Sequence, residues 1–206
     1  SVIMLALFVG SCSNEDVMPE IDKGATSRTV TFEALMPGSG ATTRVAADEL
    51  ADRTIDLTWE ANDEIVLLFV QGETRKSATA TVVSADGETG TFTVTLPEGI
   101  VGTADYTLYG AYGTAGAPTE GSTVVDLAST GDLGDKILLH FKQEVTGNAI
   151  GSVEFAHKGY VFTAKVAVTS GTVSDINLVA DSDWAISSSD YQFNLKTGEF
   201  TTTATA

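Results

Sequence analysis

The chain has 206 residues and a formal net charge of -17, from 28 acidic against 11 basic residues. That length suits one large domain or two small ones, and a hydrophobic fraction of 43% is ample for a core. The acidic balance excludes nucleic acid as a partner, because a phosphate backbone needs a basic footprint. Only 19% of residues are charged, so polarity comes largely from Thr, Ser, Asn and Gly. β-branched residues crowd χ1 in helices and pack well on pleated sheets, so the abundance of Thr and Val argues for strands. There is one cysteine, Cys12, and a lone Cys makes no intramolecular disulfide.

The N-terminus reads as a targeting segment. Residues 2–9 are an apolar run, too short to span a bilayer as a helix but of the length of a signal-peptide h-region. It ends in Val9-Gly10-Ser11-Cys12, small residues directly before a cysteine. This resembles the bacterial lipobox, whose cysteine receives diacylglycerol and becomes the mature N-terminus. The alternative is a buried first strand with an ordinary core Cys. The polar, acidic and unpatterned stretch from Ser13-Asn14-Glu15-Asp16 to Arg28 favours the lipobox, because it suits a tether. A chain that starts at Ser1 without a basic n-region implies more sequence upstream.

From Thr29 the pattern alternates. Residues 29–35 place Val30, Phe32 and Ala34 on one face of a half-buried strand. Pro37-Gly38-Ser39-Gly40 breaks it, and residues 41–52, with Arg44, read as loop or one helical turn. Residues 54–59 read as a strand ending at Trp59. The nearly continuous apolar run 64–70 fits a strand buried on both faces. Alternation over 77–84 and 91–96, around Asp86-Gly87-Glu88-Thr89-Gly90, predicts a hairpin. Residues 106–112 form an aromatic strand. Further strands are predicted at 123–127, 136–141, 152–155, 160–168, 173–179, 184–187, 191–195 and 199–203. Short strands between Gly, Asp and Ser turns suggest an all-β sandwich of about 7–10 strands with little helix. The expected core is Phe32, Trp59, Ile65, Leu67, Phe69, Phe92, Val94, Leu108, Leu139, Phe155, Phe162, Val166 and Leu178. The ending at Ala206 has no closing motif, which implies further sequence.

Motifs for chemistry are sparse. There is no Gly-x-Ser-x-Gly elbow and no phosphate loop. His140 sits in an apolar strand and His157 at a predicted hairpin bend; together they would supply only two metal ligands. Asp181-Ser182-Asp183 and Asp132-Leu133-Gly134-Asp135 are candidate calcium clusters, but neither matches an EF-hand loop, and Asp is common in turns. Trp59 and Trp184 read as core or rim residues, with sugar stacking as the alternative. No cofactor is expected, and the reading is not an enzyme.

Thr42-Thr43-Arg44, then Thr58-Trp59-Glu60-Ala61-Asn62-Asp63-Glu64-Ile65, resemble the fimbrillin family. Gly90-Thr91-Phe92-Thr93-Val94, Tyr106-Thr107-Leu108-Tyr109-Gly110-Ala111-Tyr112 and Phe155-Ala156-His157-Lys158-Gly159-Tyr160-Val161-Phe162 follow in that family's order. Asn62 stands where the family often has Gly, a tolerable change because Asn accepts left-handed backbone. The resemblance implies a stalk, tip or anchor subunit of the type V pili of Bacteroidetes, with a transthyretin-like, Greek-key β-sandwich. It implies a lipid anchor at Cys12 in the outer membrane and processing by an Arg-specific protease, for which Arg44 is the candidate site and Arg28 and Arg53 the competitors. It implies other fimbrial subunits as partners through strand exchange, and host or bacterial surface ligands in adhesion. The division is then 1–12 as a partial signal peptide, 13–28 as tether, and 29–206 as the N-terminal sandwich domain, with a second domain missing or truncated. The competing reading is a monomeric surface lipoprotein that binds glycans or nutrients.

Overall fold

The computed structural model describes residues 28–37, 57–130, 134–147, 149–159, 169–172 and 191–202. These hold eleven strands: β1 (Thr29–Leu35), β2 (Glu64–Gln71), β3 (Thr74–Asp86), β4 (Thr89–Thr95), β5 (Tyr106–Tyr112), β6 (Val124–Asp126), β7 (Leu139–Val145), β8 (Val153–Glu154), β9 (Ala156–His157), β10 (Tyr191–Asn194) and β11 (Glu199–Thr202). A single 3-10 turn, Gly134–Lys136, is the helical structure among the described residues. The fold is all-β.

Tight turns set the register of the first hairpins. Gly72-Glu73 joins β2 to β3 and Gly87-Glu88 joins β3 to β4, each a two-residue loop between paired strand ends. Gly87 has φ 61, a left-handed value that suits the first turn position and that a Cβ would strain. Strand β3 carries a bulge between Val82 and Ser84, which leaves Val83 pointing to solvent. Strand β5 then returns beside β2, so the order β4-β3-β2-β5 is a Greek key.

The full sheet has eight strands in the order β8-β1-β4-β3-β2-β5-β7-β9. Its two end strands are halves of one short run, residues 153–157. β8 pairs parallel with β1 (Ala34 with Val153, Leu35 with Glu154). β9 pairs antiparallel with β7 (Leu139 with His157, His140 with Ala156). Between them the Phe155 amide donates to the Leu35 carbonyl at 3.0 Å. The sheet therefore closes on itself, and one face becomes the lining of a near-barrel.

A second sheet of three strands, β11-β10-β6, lies against the other face. This arrangement explains the apolar run of β2. Ile65, Leu67 and Phe69 enter the closed core, while Val66 and Leu68 enter a smaller cluster with Tyr109, Ala111, Val125, Leu138, Phe193 and Leu195. A strand with both faces covered has no position for a polar side chain.

Rings fill the closed core. Phe32 stacks on Phe92 at 5.8 Å, and Trp59 meets Phe92, Tyr112 and Phe155 edge-on at 4.9, 5.7 and 5.5 Å. Phe155 in turn stands edge-on to Phe141 at 4.9 Å. Such pairs contribute about 0.5–1.5 kcal/mol each beyond the area they bury. Ten of the thirteen expected core residues, from Phe32 to Phe155, are buried. Phe162, Val166 and Leu178 lie outside the described residues, as do the strands expected at 160–168, 173–179 and 184–187.

Three expectations need correction. Residues 57–59, the described part of the strand expected at 54–59, carry no ladder; one amide bond, Trp59 to the Gly87 carbonyl at 3.0 Å, holds them. The strand expected at 136–141 begins only at Leu139, because Lys136 closes the 3-10 turn and the Ile137 amide returns to the Gly134 carbonyl. His157 is not at a hairpin bend but in β9, paired with Leu139.

Two substitutions test this packing. Phe92 is fully buried, so Phe92→Ala should cost about 3–5 kcal/mol in urea denaturation. A Cβ on Gly110 would overlap the Phe141 ring, so Gly110→Ala should cost about 1–3 kcal/mol by overpacking. Wild-type midpoints for both would contradict the packing described.

Candidate functional site

The first strand is the segment that the sequence singles out for processing, and its geometry is simple. β1 lies antiparallel to β4 along its whole length, from Thr29 opposite Thr95 to Leu35 opposite Thr89. Backbone bonds clamp both ends: the Leu96 amide donates to the Arg28 carbonyl and the Met36 amide to the Glu88 carbonyl, each at 2.9 Å. On its other side β1 pairs only Ala34 and Leu35, with β8. Residues 29–33 have no ladder partner on that side among the described residues.

Side chains alternate strictly along β1. Val30, Phe32 and Ala34, followed by Met36, plug the closed core, while Thr29, Thr31, Glu33 and Leu35 face outward. Full burial of such a residue as Val, Phe or Met stabilises by about 1.5–3 kcal/mol each. The Ala34 carbonyl also accepts the Trp59 indole N–H at 2.9 Å, in a buried bond. The indole ring lies over Gly90, the β4 partner of Ala34. Removing β1 would therefore strip β4 of a ladder, empty four apolar positions and leave a buried indole donor without its acceptor.

Beside this core lies an acidic cleft of about 500 Å³, lined by Asn62, Asp63, Glu64, Tyr112, Thr114 and Asp135 among others. Asn62 has φ 76 and is the one non-Gly residue with positive φ among the described residues, as expected from its place in the turn. The turn is closed by the Glu60 amide donating to Asp63 Oδ2 at 2.8 Å and the Asp63 amide donating to the Glu60 carbonyl at 3.2 Å. The Tyr112 hydroxyl donates to Asp63 Oδ1 at 3.4 Å. Burial pushes the Asp63 carboxyl above its usual range, against the two hydrogen bonds it accepts; Glu60 and Asp135 push the same way as burial. Burial, then the charges of Asp63 and Asp135, pushes the Tyr112 phenol upward.

The cleft brings Asp135, from one of the two acidic clusters weighed as calcium candidates, near Asp63, a meeting that no spacing in the sequence announced. Asp132 and the Asp181-Ser182-Asp183 cluster lie outside the described residues. Among the described residues no group of three His, Cys, Asp or Glu is placed to hold a metal ion.

The histidines are separate in role. His140 is buried, and its Nε2 donates to the Leu195 carbonyl at 2.7 Å. Burial holds its imidazole below the ordinary range, and the Lys158 charge adds to this against the pull of the Leu195 bond. His157 is half-buried, and its Nδ1 accepts the Gly159 amide at 3.2 Å. Trp59 is a core residue, as read from the sequence. Cys12, Arg44, Arg53 and Trp184 lie outside the described residues. Arg28 sits at the start of β1 with its carbonyl engaged by Leu96.

Trp59→Phe keeps most of the ring packing and deletes the indole donor. We expect a loss of about 0.5–1.5 kcal/mol, the net worth of one hydrogen bond, because the Ala34 carbonyl keeps its ladder partner Gly90. Hydrogen exchange should show the β1 amides opening first, ahead of the β2–β3 hairpin. Uniform loss across the sheet would contradict a local role.

The chain matches no family model, and no curated protein and no solved structure is significantly similar to it.

Proposed function

We propose that this chain is a structural subunit or anchor of a cell-surface fimbrium, exported as a lipoprotein and assembled by strand exchange, with β1 as the strand that leaves. The observation that carries the reading is the geometry of β1: a seven-residue ladder with β4 on one side, two paired residues on the other among the described residues, and alternating apolar plugs between. A sheet that loses such a strand exposes unpaired N–H and C=O groups beside an apolar groove. A neighbour's strand with the same alternation satisfies both.

Two further features support it. The residues that carry the fimbrillin resemblance, Trp59, Phe92, Tyr112 and Phe155, converge in one aromatic cluster although the sequence scatters them. A shared core of that kind is what a common fold would keep. The lipobox at Cys12 and the polar tether supply the export route.

Cutting does not by itself expel β1, because its ladder and plugs remain. It changes the order of the reaction. In the intact chain the strand remains covalently joined to the domain, so its return is intramolecular. After a cut at Arg44 the strand is a separate ligand, diluted to the concentration of the protein once it dissociates. Arg28 suits cutting less, since its carbonyl is bonded to Leu96 and a cut there leaves β1 attached to the domain.

Limited digestion with an Arg-specific protease should yield a new N-terminus at Val45 and laddered oligomers. Resistance at Arg44, or a clean cut that leaves a stable monomer retaining β1, would count against strand exchange and favour a monomeric binding lipoprotein. An anchor subunit would stay uncut and keep its lipid.

Lipidation is tested separately. A palmitate analogue fed to expressing cells should label the wild type and not Cys12→Ser. Equal labelling would remove the lipoprotein part of the proposal while leaving the strand exchange to stand on the digest.

A further inference from the structure

The three-stranded sheet β11-β10-β6 is attached to the main sheet through a small apolar cluster, and one titratable side chain lies inside that attachment. His140 projects from β7 between the layers. Its ring stacks on Tyr109 of β5 at 6.5 Å and meets Phe193 of β10 edge-on at 5.2 Å. Its Nε2 reaches the Leu195 carbonyl at 2.7 Å. A carbonyl only accepts, so Nε2 carries the hydrogen and the neutral ring keeps Nδ1 bare.

A cation lies near the bare nitrogen. A Cβ placed on Gly198, in the turn between β10 and β11, would lie 3.5 Å from His140 Nδ1 and 3.3 Å from Lys158 Nζ. Both nitrogens thus converge on one spot. The other charged groups on the elements around the ring are Lys196, Glu199 and Asp126, all exposed, the last accepting the Gln192 side-chain amide at 2.7 Å, and Lys142, which is tied to Glu144 at 2.9 Å. His157 on β9 is turned to the Gly159 amide. Of these charges Lys158 is the one that acts on His140, and it has the same sign as an added proton.

We propose that His140 is an acid-sensitive latch: neutral, it fastens the β11-β10-β6 layer to the main sheet, and protonation at Nδ1 releases that layer while the closed core stays folded. The positive ring would have to remain in an apolar cluster beside Lys158, or reach water by displacing the β10–β11 turn. The Leu195 bond survives protonation, so the cost comes from desolvation and like charge. The sign follows by linkage. The docked imidazole takes a proton less readily than a solvated one, so the released state binds more protons. Docking is at full strength above about pH 6.5, the range of a free imidazole, and weakens as the pH falls below it.

The experiment is hydrogen exchange, corrected for intrinsic rates, at about pH 7.5 and about pH 5, the interval in which histidine titrates. The β10 and β11 amides should lose protection at the lower pH, by up to about tenfold for each unit separating docked and free pKa values. The β3–β4 hairpin, which contributes no residue to the outer apolar cluster, is the internal reference. His140→Gln keeps a neutral donor for Leu195 and should remove the pH dependence. Lys158→Met should move the midpoint of release to lower pH. Parallel loss in β3–β4 and β10–β11, or an unchanged slope in His140→Gln, would overturn the latch. If His140→Gln does not fold, the wild-type comparison and Lys158→Met decide the matter.

Discussion

A sheet has two edges, and this one deals with both through a single short run of chain. Residues 153–157 bond to β1 on one side and to β7 on the other. Phe155, at the crossing, has its amide on the Leu35 carbonyl and its ring against Trp59 and Phe141. Unpaired edges invite aggregation, and closing a sheet on itself removes them. The closure is partial. Among the described residues it holds β1 at Ala34 and Leu35, while residues 29–33 have β4 as their ladder partner and bury Val30 and Phe32. The near-barrel is thus firm along the Greek key and weakest along β1.

The two layers differ in the same graded way. The closed core is large and ringed with aromatics, and the indole donor of Trp59 within it is satisfied at Ala34. The outer cluster is small and admits His140, the buried polar side chain among the described residues. Such groups define a unique arrangement when satisfied and are costly when their charge changes. The layer β11-β10-β6 is accordingly the part whose docking depends on solution conditions, while β2 and β5, covered on both faces, belong to the unit that opens last.

Legibility in the sequence followed the physical cause of each element. β1 and β5 were read to the residue because alternation or an aromatic run filled the whole strand. β2 was legible as two-faced because nothing polar interrupts it. Failures came where burial had another source than a ladder. Residues 57–59 carry apolar side chains into the core from a segment with one backbone bond to β4's turn, so burial there mimicked a strand. Ile137 and Leu138 are apolar because each enters a different cluster, not because they extend β7. The crossing at 153–157 was invisible as a closure, since pairing with two distant strands leaves no periodic mark. The meeting of Asp63, Tyr112 and Asp135 was equally hidden, because it depends on how β5 and the 3-10 turn are brought together.

The charge of the chain bears on the proposed assembly. The acidic excess of the whole sequence, -17, lies mostly after Arg44, so processed subunits still repel one another, although salt limits the range to about 8 Å at physiological strength. An interface built on complementary surface charge is hard to make from identical copies of such a chain. Strand exchange avoids the difficulty. Its attraction lies in backbone hydrogen bonds along β4 and in the apolar positions that Val30 and Phe32 vacate, all directed inward or along the ladder, where the sign of the outer surface matters little. The groove that β1 fills receives no charge from it, since its one charged residue, Glu33, faces outward. The same acidity that opposes face-to-face aggregation therefore leaves strand insertion open. It biases association toward the one geometry in which the buried surface is apolar and the charges remain in water.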